Sequence, residues 1–166
     1  LHFEQAALLR DRINAIGALS KKQTVIAGLC ADTDIWGLYR GSGKSCYAIL
    51  HMEEGNLAGR ETELFSAPNE ESEAEMLSAL TAQYYLPRAI LPHEILLPME
   101  TEDCEELSEV LTKRAGHKVW VHVPQRGEKS TLADMAVRNA QEEVRRATTA
   151  EEKTAYTLEA LQKMLN

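Results

Sequence analysis

The chain has 166 residues, 27% charged and 44% hydrophobic, with a formal net charge of −8. That length suits one domain with a real core plus a helical appendage, and the composition is that of a soluble globular chain. No apolar run approaches the roughly 18 residues a membrane helix needs, and the acidic balance argues against a simple nucleic-acid binder.

The charge is unevenly placed. From His51 to Glu109 there are 15 acids and 2 bases, whereas from Leu111 to Arg146 there are 8 bases and 4 acids. The plain reading is a solvated acidic face and a mixed one; the sharper reading is one face that repels phosphate and another that accepts it. The three cysteines, Cys30, Cys46 and Cys104, are far apart and odd in number. They predict reduced thiols and a cytoplasmic setting rather than a disulfide framework. No signal peptide is evident, and the chain starts at Leu1 without Met, as a piece cut from something longer would.

In chain order, Phe3, Ala6, Ala7, Leu9, Ile13 and Ile16 recur at helical spacing, and Gly17 ends or weakens that helix. The alanines permit close helix approach, Phe3 and Leu9 supply apolar area, and Glu4 and Arg10 suit a polar rim. Lys21 to Thr33 has no clear period and reads as a connector. Asp34 to Phe65 then gives three short apolar and β-branched runs, separated by Gly41-Ser42-Gly43 and Glu54-Gly55-Asn56. This is the pattern of three strands joined by two tight turns. In the second strand Cys46, Ala48, Leu50 and Met52 point one way and Tyr47, Ile49 and His51 the other. Both sets are largely apolar, which predicts a central strand. The third, Ala58 to Phe65, carries more charge and reads as an edge.

Pro68-Asn69 is expected to open a helix whose first turns hold Glu70, Glu71, Glu73 and Glu75, with Met76, Leu77, Leu80 and Tyr84 as its buried stripe. Acids at a helix start are read as dipole-matched and solvated rather than as a metal site. Pro87 closes this helix. Ile95-Leu96-Leu97 has the continuous apolar character of a strand buried on both faces, stopped by Pro98. Glu102 to Ala115 predicts a second helix with Leu107, Val110 and Leu111 inside and Gly116 as its C-cap. Lys118 to Val123 is a strand with Val119, Val121 and Val123 on one face. After the polar loop PQRGEKS, Ser130 or Thr131 is expected to cap a helix with Leu132, Met135, Ala136, Asn139 and Ala140 on one stripe. A separate last helix, roughly Ala150 to Leu165, carries Tyr156, Leu158, Leu161 and Leu165 and has little in the chain to pack against.

Three tempting motifs fail on physical grounds. Gly43-Lys44-Ser45 looks like the end of a phosphate-binding loop, but Leu38 stands where the motif needs its first glycine, and a strand follows instead of a helix. No C-x-x-C occurs, and His117 and His122 are five apart along a strand, hence on opposite faces. No local motif supports a Cys/His nucleophile. The loop from Pro124 to Lys129 is more informative. Gln125, Arg126 and Lys129 stand at a helix N-terminus, and Arg138, Arg145 and Arg146 continue along that helix. This set is the candidate contact for a phosphate backbone or an acidic partner surface.

Three antiparallel strands followed by helix, strand, helix, strand, helix is an α/β order, with the last two strands parallel to the first. It resembles the ribonuclease H-like fold, as a mixed five-stranded sheet flanked by an N-terminal and a C-terminal helix. The wording resembles a family as well. FEQAALLRDRI fits the second half of the UVR helical hairpin, through Phe3, Glu4, Ala6, Ala7, Leu9, Arg10, Asp11 and Ile13. DIWGLYRG, YAILHMEEGNLAGRETELF, LTAQYY, PHEILLP and HKVWVHVPQRGEKSTLADMAVRNA resemble the middle of the UvrC family, from Phe3 to about Leu165.

The resemblance implies a role in bacterial nucleotide excision repair of damaged DNA. It implies three parts: residues 1–22 as half of a UVR hairpin, 23–149 as a degenerate ribonuclease H-like domain, and 150–166 as a helix leading to the next domain. It implies UvrB as a partner of the UVR residues, and neighbouring nuclease domains in the same chain, one GIY-YIG and one opening on a D-I-S-H strand. Neither catalytic signature is present here. Nucleases of this fold hold two divalent metals with carboxylates in the middle of the first strand and at the end of the fourth. Tyr39 and Pro98 are expected at those places, with Asp34 about five residues too early. No catalytic residue, metal or cofactor is assigned, and a scaffolding module is expected. The rivals are a metal-dependent nuclease with a displaced carboxylate site and a UVR-bearing adaptor of another system.

Overall fold

The computed structural model describes residues 31–68 and 70–165. The half-hairpin expected at Phe3 to Ile13 therefore lies outside the described residues. Strands β1 (Thr33–Arg40), β2 (Ser45–Glu53) and β3 (Asn56–Phe65) form an antiparallel meander. Helix α1 (Glu73–Tyr85), strand β4 (Glu94–Leu96), helix α2 (Cys104–Ala115), strand β5 (Trp120–His122) and helix α3 (Glu128–Leu165) follow. The sheet order is β3-β2-β1-β4-β5, with β4 parallel to β1 and β5 parallel to β4. This is the α/β, ribonuclease H-like mixed sheet expected from the element order. β2 is interior and β3 is an edge, as their residue patterns require.

The turns have local causes. Gly41 N–H donates to the Lys44 carbonyl at 3.0 Å, closing the first hairpin. In the second, Glu54 (φ 49°) and Gly55 (φ 79°) both adopt positive φ, the geometry whose twist matches antiparallel strands. Gly116 (φ 75°) ends α2 in the left-handed conformation that glycine tolerates.

Helices cover both sheet faces. α1 and α2 pack on Trp36, Leu38, Ile49, Ile95 and Leu97 through Met76, Leu77, Tyr85, Leu107 and Leu111. α3 packs on the other face, with Leu132, Ala133 and Ala136 against Ile35, Leu50, Met52 and Leu96, and Ala140 and Val144 against Cys46 and Ala48. The small residues on α3 allow close approach at Gly37. A Cβ there would lie 2.1 Å from the Ala136 carbonyl carbon and 2.3 Å from the Val137 nitrogen.

Several boundaries differ from the sequence reading. α1 begins at Glu73, not at Pro68, because Ser72 and Glu75 form a capping box. Glu70 and Glu71 precede the helix, and Arg40 donates to the carbonyls of Glu71 (2.6 Å) and Pro68 (3.0 Å). Its most buried residues are Met76, Leu77, Thr81 and Tyr85, with Leu80 and Tyr84 only partly covered. In α2, Val110 is 44% exposed and Ser108 is the buried neighbour. Ser130 and Thr131 lie inside the first turn of α3, where the Thr131 hydroxyl donates back to the Gly127 carbonyl. Met135 faces out, and Ala133 takes the place expected of it.

The separate helix expected from Ala150 is continuous with the helix before it. α3 has 38 residues, about 57 Å at 1.5 Å per residue. Nothing at Ala147-Thr148-Thr149-Ala150 breaks it, since neither glycine nor proline is present. The Thr148 and Thr149 hydroxyls donate to the carbonyls of Val144 and Arg145. From Thr148 to Leu165 every residue is exposed. No described helix is long and apolar enough to cross a membrane.

Candidate functional site

In a sheet of this order the informative place is where β1 runs beside the end of β4. The parallel register pairs Thr33 with Glu94 and Ile35 with Leu96. Continued, it sets Gly37, rather than Tyr39, level with Pro98. On one face this place is closed by the α3 backbone lying against Gly37. On the other it is filled by the buried side chains of Trp36, Leu38 and Leu97. Tyr39 packs against Cys46, Ala48, Ala140 and Val144 instead.

Asp34, at the start of β1, belongs to a polar chain that crosses the meander. Its Oδ2 accepts from the Tyr85 hydroxyl at 2.7 Å, and that hydroxyl accepts from Trp36 Nε1 at 2.8 Å. Its Oδ1 lies 2.7 Å from Nδ1 of His51, the residue directly opposite on β2. Nε2 of His51 lies 2.9 Å from Glu61 on β3, whose carboxylate also accepts from the Tyr84 hydroxyl. The partner of His51 in register is Gly59, two residues before Glu61 on the same face of β3.

With a carboxylate at each ring nitrogen, His51 donates from both and is an imidazolium. The bond to Asp34, more than the one to Glu61, raises its pKa to about 9, against a smaller opposing effect of burial. The Tyr84 hydroxyl and His51 hold the Glu61 carboxyl below its usual range. Burial, then the Asp34 charge, pushes the Tyr85 hydroxyl well up. An imidazolium with both N–H groups engaged has no lone pair for a proton or a metal, and each Asp34 oxygen already accepts a hydrogen bond. The arrangement ties β1, β2, β3 and α1 together by charge-assisted bonds. Among the described residues no group of three or more His, Cys, Asp or Glu could hold a metal ion.

The chain of bonds surfaces in a groove lined by Tyr47, Glu61, Glu63, Phe65, Tyr84 and Arg88. The Tyr47 hydroxyl donates to Glu63 at 2.5 Å, and the Arg88 guanidinium lies 3.8 Å over the Tyr84 ring.

The basic residues singled out in the sequence are not gathered into one patch. Gln125 and Arg126 are exposed on the loop before α3. Lys129 is drawn inward to Glu94 at 2.8 Å, on the same oxygen that lies 2.7 Å from His122 Nε2. Arg145 pairs with Glu142 at 3.1 Å and Arg146 with Glu143 at 3.6 Å. Arg126 and Arg138 carry no ion pair among the described residues. The rise from Glu128 to Arg146 is about 27 Å, so the set is strung along a helix.

The family model for the UvrC ribonuclease H-like domain matches residues 32–147. The chain belongs to the UvrC ribonuclease H-like domain family. Members of this family among known proteins include the UvrABC system protein C of Clostridium perfringens strain SM101, 36% identical over 140 residues, or 84% of this chain and 23% of that protein. That of Salinibacter ruber is 34% identical over 86% of this chain and 24% of the relative. That of Acetivibrio thermocellus is 31% identical over 84% and 22%. The chain thus spans about a quarter of the length of these relatives. Among solved structures, the ribonuclease H2 of Pyrococcus horikoshii OT3 matches with a TM-score of 0.48 and 10% identity, over 71% of this chain and 76% of that one.

For this UvrC-family domain the sequence exposed the residues of β1 and β4 but not what covers them. It did not reveal the Asp34–His51–Glu61 chain either. The available signal was the alternation of β2, which sets His51 on the face of Tyr47 and Ile49. The partners needed the strand register.

Proposed function

We propose that the chain is a non-catalytic module of a UvrC subunit in UvrABC nucleotide excision repair. In this reading it spaces and orients the nuclease domains on either side of it, in the cytoplasm, and touches DNA through Gln125, Arg126 and Arg138. Lys129, Arg145 and Arg146 are weaker contributors because each is already matched by a carboxylate. Phe3, Glu4, Ala6, Ala7, Leu9 and Arg10 are the proposed contact for UvrB.

One observation carries the non-catalytic reading. Where a nuclease of this fold would bring carboxylates together, this chain has Gly37 under a helix backbone, Pro98, and a packed apolar core. Asp34, the strand's own acid, accepts from Tyr85 through one oxygen and from His51 through the other.

The test is a cleavage assay with the purified chain on damaged duplex and on single-stranded DNA, with Mg²⁺ or Mn²⁺. No cleavage above the metal-only control is expected. Metal-dependent cutting that disappears in Asp34→Asn would sink the reading and restore the displaced-site nuclease.

A further inference from the structure

β3 is an outer strand of the sheet, paired with β2 and with no other strand among the described residues. The backbone groups on the far side of its ten residues therefore have no strand to bond. Its side chains fall into two sets. Arg60, Thr62 and Leu64 stand opposite Leu50, Ala48 and Cys46, on the face of α3, where Arg60 donates to Asn139 at 2.8 Å. Glu61, Glu63 and Phe65 lie on the face of α1. They form one wall of the groove into which the Asp34–His51–Glu61 chain surfaces, and Leu80, Gln83, Tyr84 and Arg88 form the other. Arg60 and Thr62 border this groove as well. Their side chains belong to the opposite face, so they border it through their backbone, and the groove runs along the open edge. At about 1120 Å³ it has room for several side chains.

The chemistry of this edge selects what can lie on it. Glu61 accepts from His51 and from the Tyr84 hydroxyl, and Glu63 from the Tyr47 hydroxyl. Neither is paired with a lysine or arginine among the described residues. Glu53 and Glu54, both exposed, add charge at the turn where β3 begins. Against these stand the His51 imidazolium behind Glu61 and the Arg88 guanidinium, 3.8 Å over the Tyr84 ring. The Arg88 contact is itself an example of how the groove holds a cation, on a ring face beside a carboxylate. Tyr47 and Phe65, partly buried and 6.3 Å apart, offer two more rings. A second copy of the chain is the wrong occupant. A two-fold axis centred on any residue from 60 to 63, the middle of the strand, sets Arg60 against Arg60 or a glutamate against a glutamate directly across the new pair.

We propose that the β3 edge takes an extended segment of a partner protein as an added strand, one that carries Lys or Arg at alternate positions. Main-chain bonds to β3 hold the segment. Its basic side chains cross Glu61 and Glu63 into the groove, with their stems on Tyr47 and Phe65. The residues between them turn to the α3 face beside Arg60 and Thr62. This inference stands on the edge and the groove together. It does not rest on the proposed DNA contacts, which belong to α3 and the loop before it.

A fluorescein-labelled peptide of alternating Lys and Val tests it, read by anisotropy against the 166-residue chain. The peptide should bind, and its Glu/Val counterpart should not. Glu63→Lys, at an exposed site, should weaken binding roughly tenfold, because it replaces an opposite-charge pair with a like-charge one. Glu105→Lys with Glu106→Lys, at the exposed start of α2, should leave binding unchanged. The urea midpoint of each variant separates binding from folding. A further arm needs no variant of the chain. Successive residues of a strand turn their N–H groups to opposite edges, so of two peptides N-methylated at alternate residues, one on Lys and one on Val, only one should lose binding. Bound peptide should also slow amide exchange within β3. Equal effects of the two methylation frames, or equal losses in the Glu63 and the Glu105/Glu106 variants, would leave only attraction to an acidic surface and overturn the proposal. No binding by the unaltered chain would overturn it too. Dimerisation of the chain that the peptide disrupts would give the edge to a second copy and end the proposal.

Discussion

Tyr85→Phe is the sharpest test of the polar chain, because it removes one oxygen and little volume. That hydroxyl is fully buried, accepts from Trp36 Nε1 at 2.8 Å and donates to Asp34 at 2.7 Å. Its loss leaves the indole N–H in the core without a partner, a cost of about 1–3 kcal/mol. It also removes a bond to a charged carboxylate, about 1.5–3 kcal/mol more. The two together predict a loss of about 3–5 kcal/mol, a large share of the 5–15 kcal/mol typical of a domain. Urea unfolding followed by far-UV circular dichroism measures it. Trp36→Phe should then cost about 1 kcal/mol less in the Tyr85→Phe background than in the unaltered chain, since the indole has already lost its partner. A change below about 1 kcal/mol for Tyr85→Phe, or strict additivity with Trp36→Phe, would refute the argument that this hydroxyl is the hinge of the chain.

Gly37→Ala should destabilise by about 3 kcal/mol or more, because a Cβ 2.1 Å from the Ala136 carbonyl carbon can be relieved only by lifting α3 off the sheet. Gly43→Ala, where nothing lies within 4 Å of an added Cβ, serves as the control and should change stability little. Stability should also depend on pH through His51. A group with its folded pKa raised from 6.5 to about 9 binds its proton more tightly in the folded chain. Its contribution is full below about 6.5 and is lost as pH rises through about 9. With a quarter of the ring open to solvent, about 1–2 kcal/mol should disappear between pH 6 and pH 9.5. Cys46, pushed by burial to about 11, stays protonated across that range. Denaturation series at the two pH values check this, and His51→Gln should flatten the difference; a chain equally stable at both would contradict it.

How much was legible in the sequence follows from how far each signal reaches along the chain. Glu54-Gly55, Gly116, Pro87 and Pro98 act on their own backbone, so turns and element ends could be read where they stand. The start of α1 was misread because Pro68-Asn69 and the acids after it resemble a helix opening, while the decision rested on the reciprocal Ser72–Glu75 bonds. The break expected near Ala150 was inferred from a change in what the helix could pack against. Helix continuity depends on backbone propensity, and nothing there opposes it. The six candidate contact residues share a segment of sequence, yet Lys129 turned inward to a carboxylate 35 positions away, and the arginines spread along α3.

Alternation, turn chemistry and element order are local or periodic, and they determined the meander, the central place of β2, the edge character of β3 and the α/β class. What only the tertiary structure decided is what meets across the sheet. Register set His51 between Asp34 and Glu61, laid α3 against Gly37 beside Pro98, and left the β3 edge open along its groove with α1. Such contacts join residues tens of positions apart, and no period or propensity along the chain encodes which pair will meet.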